Sequence, residues 1–147
     1  ARHQGRQGAR RRVAAGARLR AQGDLRRALC RRDHLDLGLR YWGIVGCFLL
    51  NDTQSAFTCL EDDSHEVRAM AGWLLLRSGN KKIGLQCLEQ LLKENSYATL
   101  SVLNIMDWAE DDAKPLLPTI QALQLKNYEE KMQLQLLAKH EHKGSDF

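Results

Sequence analysis

The chain has 147 residues, of which 44% are hydrophobic and 27% are charged, and its formal net charge is +4. This length favours one domain with enough chain to bury a core. The longest apolar run, residues 44–50, is far shorter than the roughly 18 residues that suggest a membrane-spanning helix, so the composition excludes a predicted span.

The charge is distributed unevenly along the chain. Residues 1–32 contain eleven arginines and one acidic residue, Asp24, for a net charge of +10, whereas residues 33–147 have a net charge of −6. We therefore predict a basic arginine-rich arm or truncated leading helix at 1–32, a helical-repeat domain at 33–137 and a polar tail at 138–147. The chain begins with alanine and lacks a signal-peptide core, so we expect a processed chain or a fragment.

The arm has two interpretations. Clustered arginines can contact phosphate backbones or another anionic surface. The candidates for this weak polyanion contact are Arg10, Arg11, Arg12, Arg18, Arg20, Arg26 and Arg27. Aromatic residues for base stacking are missing from the arm, which argues against a single-strand binding platform. The alternative is a solvated, partly helical arm or a truncated preceding repeat. From Gly23 onward, Leu25, Ala28 and Leu29 are expected to form a short amphipathic helix that covers the first repeat.

The first repeat is predicted to begin at Asp36, which can cap a helix. The predicted apolar stripe of that helix comprises Leu39, Trp42, Gly43, Gly46, Cys47 and Leu50. Residues 51–53 break the chain, and a short second helix turns Phe57 and Leu60 inward. Gly43 and Gly46 each cost about 1 kcal/mol of helix propensity relative to alanine, so we expect a neighbouring helix to approach the first helix closely at these two positions.

The second repeat covers residues 63–94. Asp63 and Glu66 have the spacing of a capping box. The stripe that follows comprises Val67, Met70, Ala71, Leu74 and Leu75, which recur at helical spacing. Residues 78–80, Ser-Gly-Asn, supply a helix stop. The next amphipathic segment carries Leu85, Leu88, Leu91 and Leu92.

Three further helices are predicted after residue 94. Asn95 and Ser96 start one whose stripe comprises Val102, Ile105, Met106 and Ala109. After the acidic turn at 110–112, Pro115 lies near the start of a helix, where its missing N–H has no partner to lose. That helix carries Leu116, Ile120 and Leu123. Asn127 and Glu130 have capping-box spacing before a last helix with Met132, Leu136 and Leu137.

The predicted helix starts recur along the chain. Those at Asp36, Asp63, Asn95 and Asn127 are 27, 32 and 32 residues apart, and periods of this length indicate a stacked repeat array. Strand-type alternation and hairpin dipeptides are missing. The predicted fold is all-α, an α-solenoid of about three and a half stacked helical hairpins. The predicted repeat-core residues are Leu39, Trp42, Val67, Met70, Leu74, Leu103 and Ile120.

The helical phrases also support a family resemblance. The pattern D-x-x-x-V-R-x-x-A at residues 63–71 resembles short-type HEAT repeats. Three phrases, LRYWG at 39–43, LSVLNIMD at 100–107 and AKPLLPTIQAL at 113–123, resemble the helical C-terminal extension of bacterial sulfatases over residues 33–137. Thr99 departs from this pattern where an arginine is expected, as do Glu129 and Glu130 in place of Val-Arg. The resemblance implies a protein partner, such as a sulfatase-like catalytic domain, and a periplasmic or extracellular location.

The resemblance brings no catalytic residue to this chain. Sulfatases of that class mature a Cys/Ser-x-Pro-x-Arg nucleophile, and no such motif follows Cys30, Cys47, Cys59 or Cys87. The cysteines also lack C-x-x-C spacing, and three of them lie in apolar helical patterns. We interpret those three as small buried thiols. No cofactor is predicted.

Two groups of residues are candidate metal ligands. His140 and His142 can bind a divalent metal weakly, but residues two apart face different sides of a helix, and a solvated, extended tail is the preferred interpretation. Asp107 and the acids at 110–112 lack the glycine and the ligand alternation of a calcium loop, so they are interpreted as helix-start charges. No metal site is predicted.

The three tryptophans, Trp42, Trp73 and Trp108, are interpreted as inter-repeat core rather than as a ligand cage. The sequence thus favours a non-catalytic helical-repeat scaffold or recognition module, the C-terminal portion of a sulfatase-like hydrolase. The alternative is a protein that binds nucleic acid or another polyanion through the arginine-rich arm. A stand-alone enzyme requires a site that the sequence does not reveal, and the enzyme class stays open.

Overall fold

A computed structural model describes residues 36–94, 96–125 and 128–142. Across these ranges the regular structure is helical and contains no strand, which confirms the all-α class. None of the described helices combines the length and the apolar character needed to cross a membrane. The elements are α1 (Leu37–Leu50), α2 (Thr53–Cys59), α3 (His65–Arg77), α4 (Lys81–Glu94), α5 (Thr99–Ala109), a 3₁₀ segment (Glu110–Leu116), α6 (Leu117–Ala122) and α7 (Tyr128–His142).

The helix starts follow the predicted caps in part. Asp36 caps α1, since its carboxylate accepts the Leu39 N–H at 3.1 Å. Ser64 rather than Asp63 caps α3, since its hydroxyl oxygen accepts the Val67 N–H at 3.4 Å. The Ser64 backbone N–H in turn donates to the Asp62 carboxylate at 2.8 Å. Helix α5 begins at Thr99 without a side-chain cap, later than the predicted start at 95–96. Of the other predicted cap residues, Asn95 and Asn127 lie outside the described ranges.

Both early helix stops are formed by a residue with positive φ. Gly79 has a φ of +95°, and the Asn80 N–H donates to the Leu75 carbonyl at 2.9 Å, the bond that closes a Schellman motif. Asn51 plays the same role after α1 with a φ of 57°. Asparagine tolerates this conformation better than most residues, so both stops confirm the sequence prediction.

The helices pack in a recurring order. Helix α1 contacts α3, α3 contacts α5, and α5 contacts α7. The helices between these contact their neighbours as well: α2 contacts α1 and α3, and α4 contacts α3, α5, the 3₁₀ segment and α6. The most extensive of these contacts joins α3 to α4, so α3 lies at the centre of the packing.

Two apolar clusters make up the core of the described residues. One lies between α1, α2 and α3, and the other extends from α3 and α4 to α7. The first contains Ile44, Cys47, Phe48, Ala56, Cys59, Val67, Ala71, Leu74 and Leu75. The buried members of the second include Leu76, Leu88, Leu91, Leu92, Leu103, Met106, Ile120 and Leu136. Helix α3 contributes to both clusters, which places one of its faces in each.

The predicted core residues after residue 60 are buried, whereas those before it are divided. Val67, Leu74, Leu103 and Ile120 are fully buried, and Met70 is partly buried. In α1, Gly43 and Cys47 of the predicted stripe are buried, but Leu39, Trp42 and Leu50 are 43%, 69% and 54% exposed. The other buried residues of α1 are Arg40, Ile44 and Phe48. Phe57 of α2, which was predicted to point inward, is 39% exposed.

A buried ion pair explains this choice of face in α1. The Arg40 guanidinium makes two hydrogen bonds to the Asp62 carboxylate, at 3.0 and 3.2 Å, and the Asp62 side chain is 1% exposed. Asp62 lies just before α3, so the pair joins α1 to the start of α3. Burial of an arginine is tolerated where a carboxylate pairs with it, and periodicity alone does not reveal such a partner.

Helices α3 and α4 meet at two glycines. A methyl group added to Gly84 would lie 2.6 Å from the Leu76 nitrogen and 2.7 Å from the Gly72 carbonyl oxygen. A methyl group on Gly72 would lie 3.3 Å from Leu88. The two backbones approach closely here because neither position carries a side chain.

The last helix extends further than predicted. Helix α7 continues through His142, so the first residues of the predicted tail are helical, and His140 and His142 do not lie in an extended segment. Lys139 fixes this end of the helix, since its ammonium group lies 2.8 Å from the Asp107 carboxylate on α5. Residues 143–147 lie outside the described ranges.

Candidate recognition groove

One face of α3 forms the floor of a groove. Glu66, Met70, Trp73 and Arg77 are four, three and four residues apart, which places them along a single side of the helix. Helix α1 forms one wall and helix α5 the other, because α3 packs between them. We call this feature the aromatic groove.

Three adjoining cavities make up the aromatic groove. The first, of about 310 Å³, is lined by Leu37, Gly38, Tyr41, Ser64, Glu66 and Tyr97. The second, of about 230 Å³, shares Tyr41 and Glu66 with the first and adds residues of α5, including Asn104 and Trp108. The third, of about 330 Å³, shares Trp108 with the second and is closed by Trp73, Leu76, Arg77, Ala109 and Asp112. The groove therefore follows α3 along its whole length.

An aromatic stack crosses the groove from α1 to α5. The rings of Phe48 and Trp73 have centroids 4.3 Å apart, and those of Trp73 and Trp108 are 5.0 Å apart. The guanidinium carbon of Arg77 lies 4.6 Å from the centre of the Phe48 ring, close enough for a cation–π interaction. The stack ties the three helices together and leaves Trp108 60% exposed at the surface of the groove.

The tryptophans therefore differ in their roles. Trp73 is partly buried between Phe48 and Trp108 and packs against both apolar clusters, while its remaining surface lines the third cavity. Trp108 packs on Trp73 with one side and faces the groove with the other. Trp42 is not a core residue, since it is largely exposed and only meets the edge of Tyr41, at a centroid distance of 6.0 Å.

The groove contains polar side chains with free hydrogen-bonding capacity. Glu66 is partly buried, lines two of the cavities, and has no hydrogen-bond or ionic partner among the described residues. Asn104, one helical turn before Trp108, also lines the second cavity. An amide both donates and accepts hydrogen bonds, so the groove can pair with a polar backbone as well as with apolar side chains.

A polar cluster ties α3 to α4 beside the first cavity. The Glu94 carboxylate accepts hydrogen bonds from both terminal nitrogens of Arg68, at 2.8 and 3.3 Å, and from Gln90 at 3.1 Å. His65 Nε2 lies 2.9 Å from the same carboxylate, and the His65 ring meets the edge of Tyr97. The Arg68 hydrogen bonds lower the pKa of Glu94 below its ordinary value. This cluster holds the α3–α4 hairpin closed and fixes one end of the groove.

The three cysteines that the structure describes, Cys47, Cys59 and Cys87, are buried or partly buried. Cys47 and Cys59 are fully buried, which confirms their interpretation as buried thiols. Burial raises the pKa of the Cys87 thiol to about 11, so it is protonated at neutral pH, and its Sγ–H donates to the Arg68 carbonyl at 3.4 Å. Cys30 lies outside the described residues.

Acidic residues in the last turn of α5 and in the 3₁₀ segment after it form ion pairs. Asp112 pairs with Lys81 at 2.6 Å, Asp111 with Lys114 at 3.3 Å, and Asp107 with Lys139. Within the ranges that the structure describes, no three His, Cys, Asp or Glu side chains converge in a way that could hold a metal ion. The seven arginines predicted to contact a polyanion, Arg10 to Arg27, all lie outside the described residues.

The comparisons with known proteins give no match. No protein-family model, no curated protein and no solved structure matches this chain. The geometry of the aromatic groove is therefore the basis for the function proposed below.

Sequence reasoning missed most of the groove residues. Met70 was assigned to the core stripe, and Glu66 was assigned to a helix cap, although both lie on the groove face of α3. One signal was present in the sequence: Trp73 follows Glu66 by seven residues and Trp108 follows Asn104 by four, which are the spacings of one helix face. These two spacings indicate a groove only when it is known which helices flank α3.

Proposed function

We propose that this chain is a non-catalytic recognition module whose aromatic groove binds an extended segment of another polypeptide. The observation that carries the proposal is the exposed face of Trp108, which lies on Trp73 at the junction of two cavities. Partly exposed aromatic rings in a concave surface are typical anchors of protein interfaces.

The packing order supports a repeat architecture for this module. In our proposal α1 with α2, and α3 with α4, form helical hairpins of a HEAT-like α-solenoid. Helix α5 with the segment 110–122 forms the third hairpin, and α7 is the last half-repeat. The contacts from α1 to α3, α3 to α5 and α5 to α7 support this arrangement, since each repeat of a solenoid packs on its neighbours.

The dimensions of the groove suit an extended peptide. The floor from Glu66 to Arg77 covers eleven helical steps, or roughly 16 Å. An extended chain advances about 3.3 Å per residue, so about five residues fill this length. The Asn104 amide can pair with the backbone of such a segment, while Met70 and Trp108 contact its side chains.

The wider context of the module also remains a proposal. The three phrases between residues 39 and 123 support its origin as the C-terminal portion of a sulfatase-like hydrolase, whose catalytic domain would be the protein partner. Polyanion binding by the arm is the rival function, and it concerns residues that the structure does not describe.

The proposal is tested by selecting peptides from a random library on the full chain and measuring their affinity by calorimetry. We expect Trp108→Ala to weaken binding by about tenfold or more, since a buried aromatic anchor carries much of an interface's free energy. Trp42→Ala is the matched control, because Trp42 is an exposed tryptophan that lines none of the three cavities. An equal loss in both variants, or a library that yields no binding peptide, would contradict the proposal.

A further inference from the structure

The two ends of the aromatic groove differ in how their charges are paired. At the far end, Asp112 pairs with Lys81 and Arg77 lies over the Phe48 ring. At the near end, Glu66 has no partner among the described residues, although it lines two cavities and is partly buried. A carboxylate that is partly removed from water gains from a cationic partner. Of the two carboxylates that line these cavities, Glu66 and Asp112, only Glu66 therefore has no cationic partner among the described residues.

The surroundings of Glu66 favour a cation. The side chains of Tyr41 and Tyr97 line the same cavity, and aromatic ring faces attract guanidinium and ammonium groups. The described residues include nine lysines and arginines against fifteen aspartates and glutamates, for a net charge of −6, although the complete chain has a net charge of +4 because of its arginine-rich residues 1–32. The excess of acids in the described part favours a basic segment over an acidic one at the groove.

From these observations we infer that the segment bound in the groove belongs to a separate polypeptide and carries an arginine or lysine that pairs with Glu66. This inference rests on the proposed function. Arginine suits the site best, because its planar guanidinium can donate two parallel hydrogen bonds to the Glu66 carboxylate and stack on Tyr41 or Tyr97.

The groove also sets the spacing within the bound segment. Glu66 and Trp73 are seven residues apart on α3, or roughly 10 Å along the helix axis. Three residues of a polyproline II segment span roughly 9 Å, and at three residues per turn their side chains return to the same side of the segment. The segment therefore carries its basic residue three positions from an apolar side chain, which packs on the exposed face of Trp108.

The test uses the full chain and two synthetic proline-rich peptides, since proline keeps them extended. One peptide has an arginine three positions from a leucine, and the other has glutamine in place of the arginine. Calorimetry gives the affinity of both peptides for the unchanged chain, for Glu66→Gln and for Glu61→Gln. Glu61 is the matched control, because it is exposed and lines none of the three cavities.

We expect the unchanged chain to bind the arginine peptide about tenfold more tightly than the glutamine peptide, which is the preference that one charge-assisted pair supplies. Glu66→Gln removes this preference, and Glu61→Gln keeps it. A preference that survives in Glu66→Gln would overturn the inference.

The remaining outcomes separate this inference from the proposed function. Equal affinity for both peptides, weakened in both by Trp108→Ala, would overturn the basic partner and keep the recognition groove. Failure of both peptides, together with a library that yields no binder, would overturn both. If the arginine peptide binds only after Arg10, Arg11 and Arg12 are changed to Gln, the chain's own arm competes for the site, and a separate partner is overturned.

Discussion

Two faces of the same helix, α3, differ in what covers them. We call the first the sealed face: Arg68 donates to Glu94 of α4, and Gly72 lies against Leu88 of α4. Leu76 lies at the boundary of the two faces, since its backbone meets Gly84 and it also borders the third cavity. The groove face, with Met70 and Trp73, lies between α1 and α5 and is covered only in part. A helix that is apolar on most of its circumference can thus contribute stability on one side and a recognition surface on the other.

Side-chain size explains the difference between the two faces. Glycines on the sealed face let the backbones of α3 and α4 approach until no methyl group fits at Gly84. On the groove face the rings of Phe48, Trp73 and Trp108 stack between α1, α3 and α5. Because interaxial distance follows the size of the side chains at the contact, the aromatic face leaves space that the glycine face does not.

The largest expected effect concerns two carboxylates that lie four residues apart. Asp62 is buried and paired with Arg40, so Asp62→Asn should lower the free energy of unfolding by about 3–5 kcal/mol, because the guanidinium loses its ionic partner. Glu66→Gln should change it by no more than about 0.5 kcal/mol. Urea denaturation measures both. Similar losses in the two variants would remove the distinction between interior and groove.

The second prediction compares buried side chains with the groove. Leu74→Ala and Leu103→Ala should each cost about 2–5 kcal/mol, because each leaves a cavity in one of the two apolar clusters. Trp108→Ala should cost less than about 1 kcal/mol, since most of the ring is already in contact with solvent. Thermal or urea unfolding that ranks Trp108→Ala with the leucine variants would mean that the groove is part of the core.

The third prediction concerns the close approach on the sealed face. Gly84→Ala should destabilise the domain by about 1–3 kcal/mol, because the added methyl group meets backbone atoms of α3 rather than a side chain that can move. The control is Gln86→Ala, an exposed position on the same helix, for which we expect a change within about 0.5 kcal/mol. A stabilised Gly84→Ala variant would show that α3 and α4 are further apart than described.

The smallest effect is a dependence on pH. The pKa of Glu94 is lowered by its hydrogen bonds to Arg68, so the stabilisation is present above the ordinary carboxyl pKa of 4.5 and is lost as the pH falls through the lower folded-state pKa. Because Glu94 is partly exposed, the gap in stability between the unchanged chain and Glu94→Gln should stay below about 1 kcal/mol at pH 7. Urea denaturation at pH 7 and pH 3 checks this: the gap should be smaller at pH 3, and a gap as large at pH 3 as at pH 7 would contradict it.

The sequence predicted the elements of the fold better than their orientation. The stops at Asn51 and Gly79 were correct because local backbone chemistry determines them. The buried face of α1 was predicted only in part, because the predicted stripe includes the buried Gly43 and Cys47 but runs through the exposed Trp42 rather than through Ile44, and periodicity does not choose between the two. The choice depends on the pair between Arg40 and Asp62, which are 22 residues apart.

The groove was less accessible to sequence reasoning than the core. A buried leucine such as Leu103 is recognisable from its own helix, whereas the groove depends on three helices whose relative positions follow from packing. The tryptophans illustrate this point, since the same residue type is core at Trp73, groove at Trp108 and solvent-exposed at Trp42. The repeat period and the sulfatase resemblance remain predictions.

The central claim is that the aromatic groove is the recognition surface, and the three tryptophan indole signals in a ¹⁵N-labelled sample test it most directly. Each signal is assigned with a single Trp→Phe variant, and a peptide selected on the full chain is then added to saturation. We predict that the signals of Trp73 and Trp108 shift and that the signal of Trp42 does not. A shift of Trp42 alone, or no shift of Trp108 at saturation, would contradict the account.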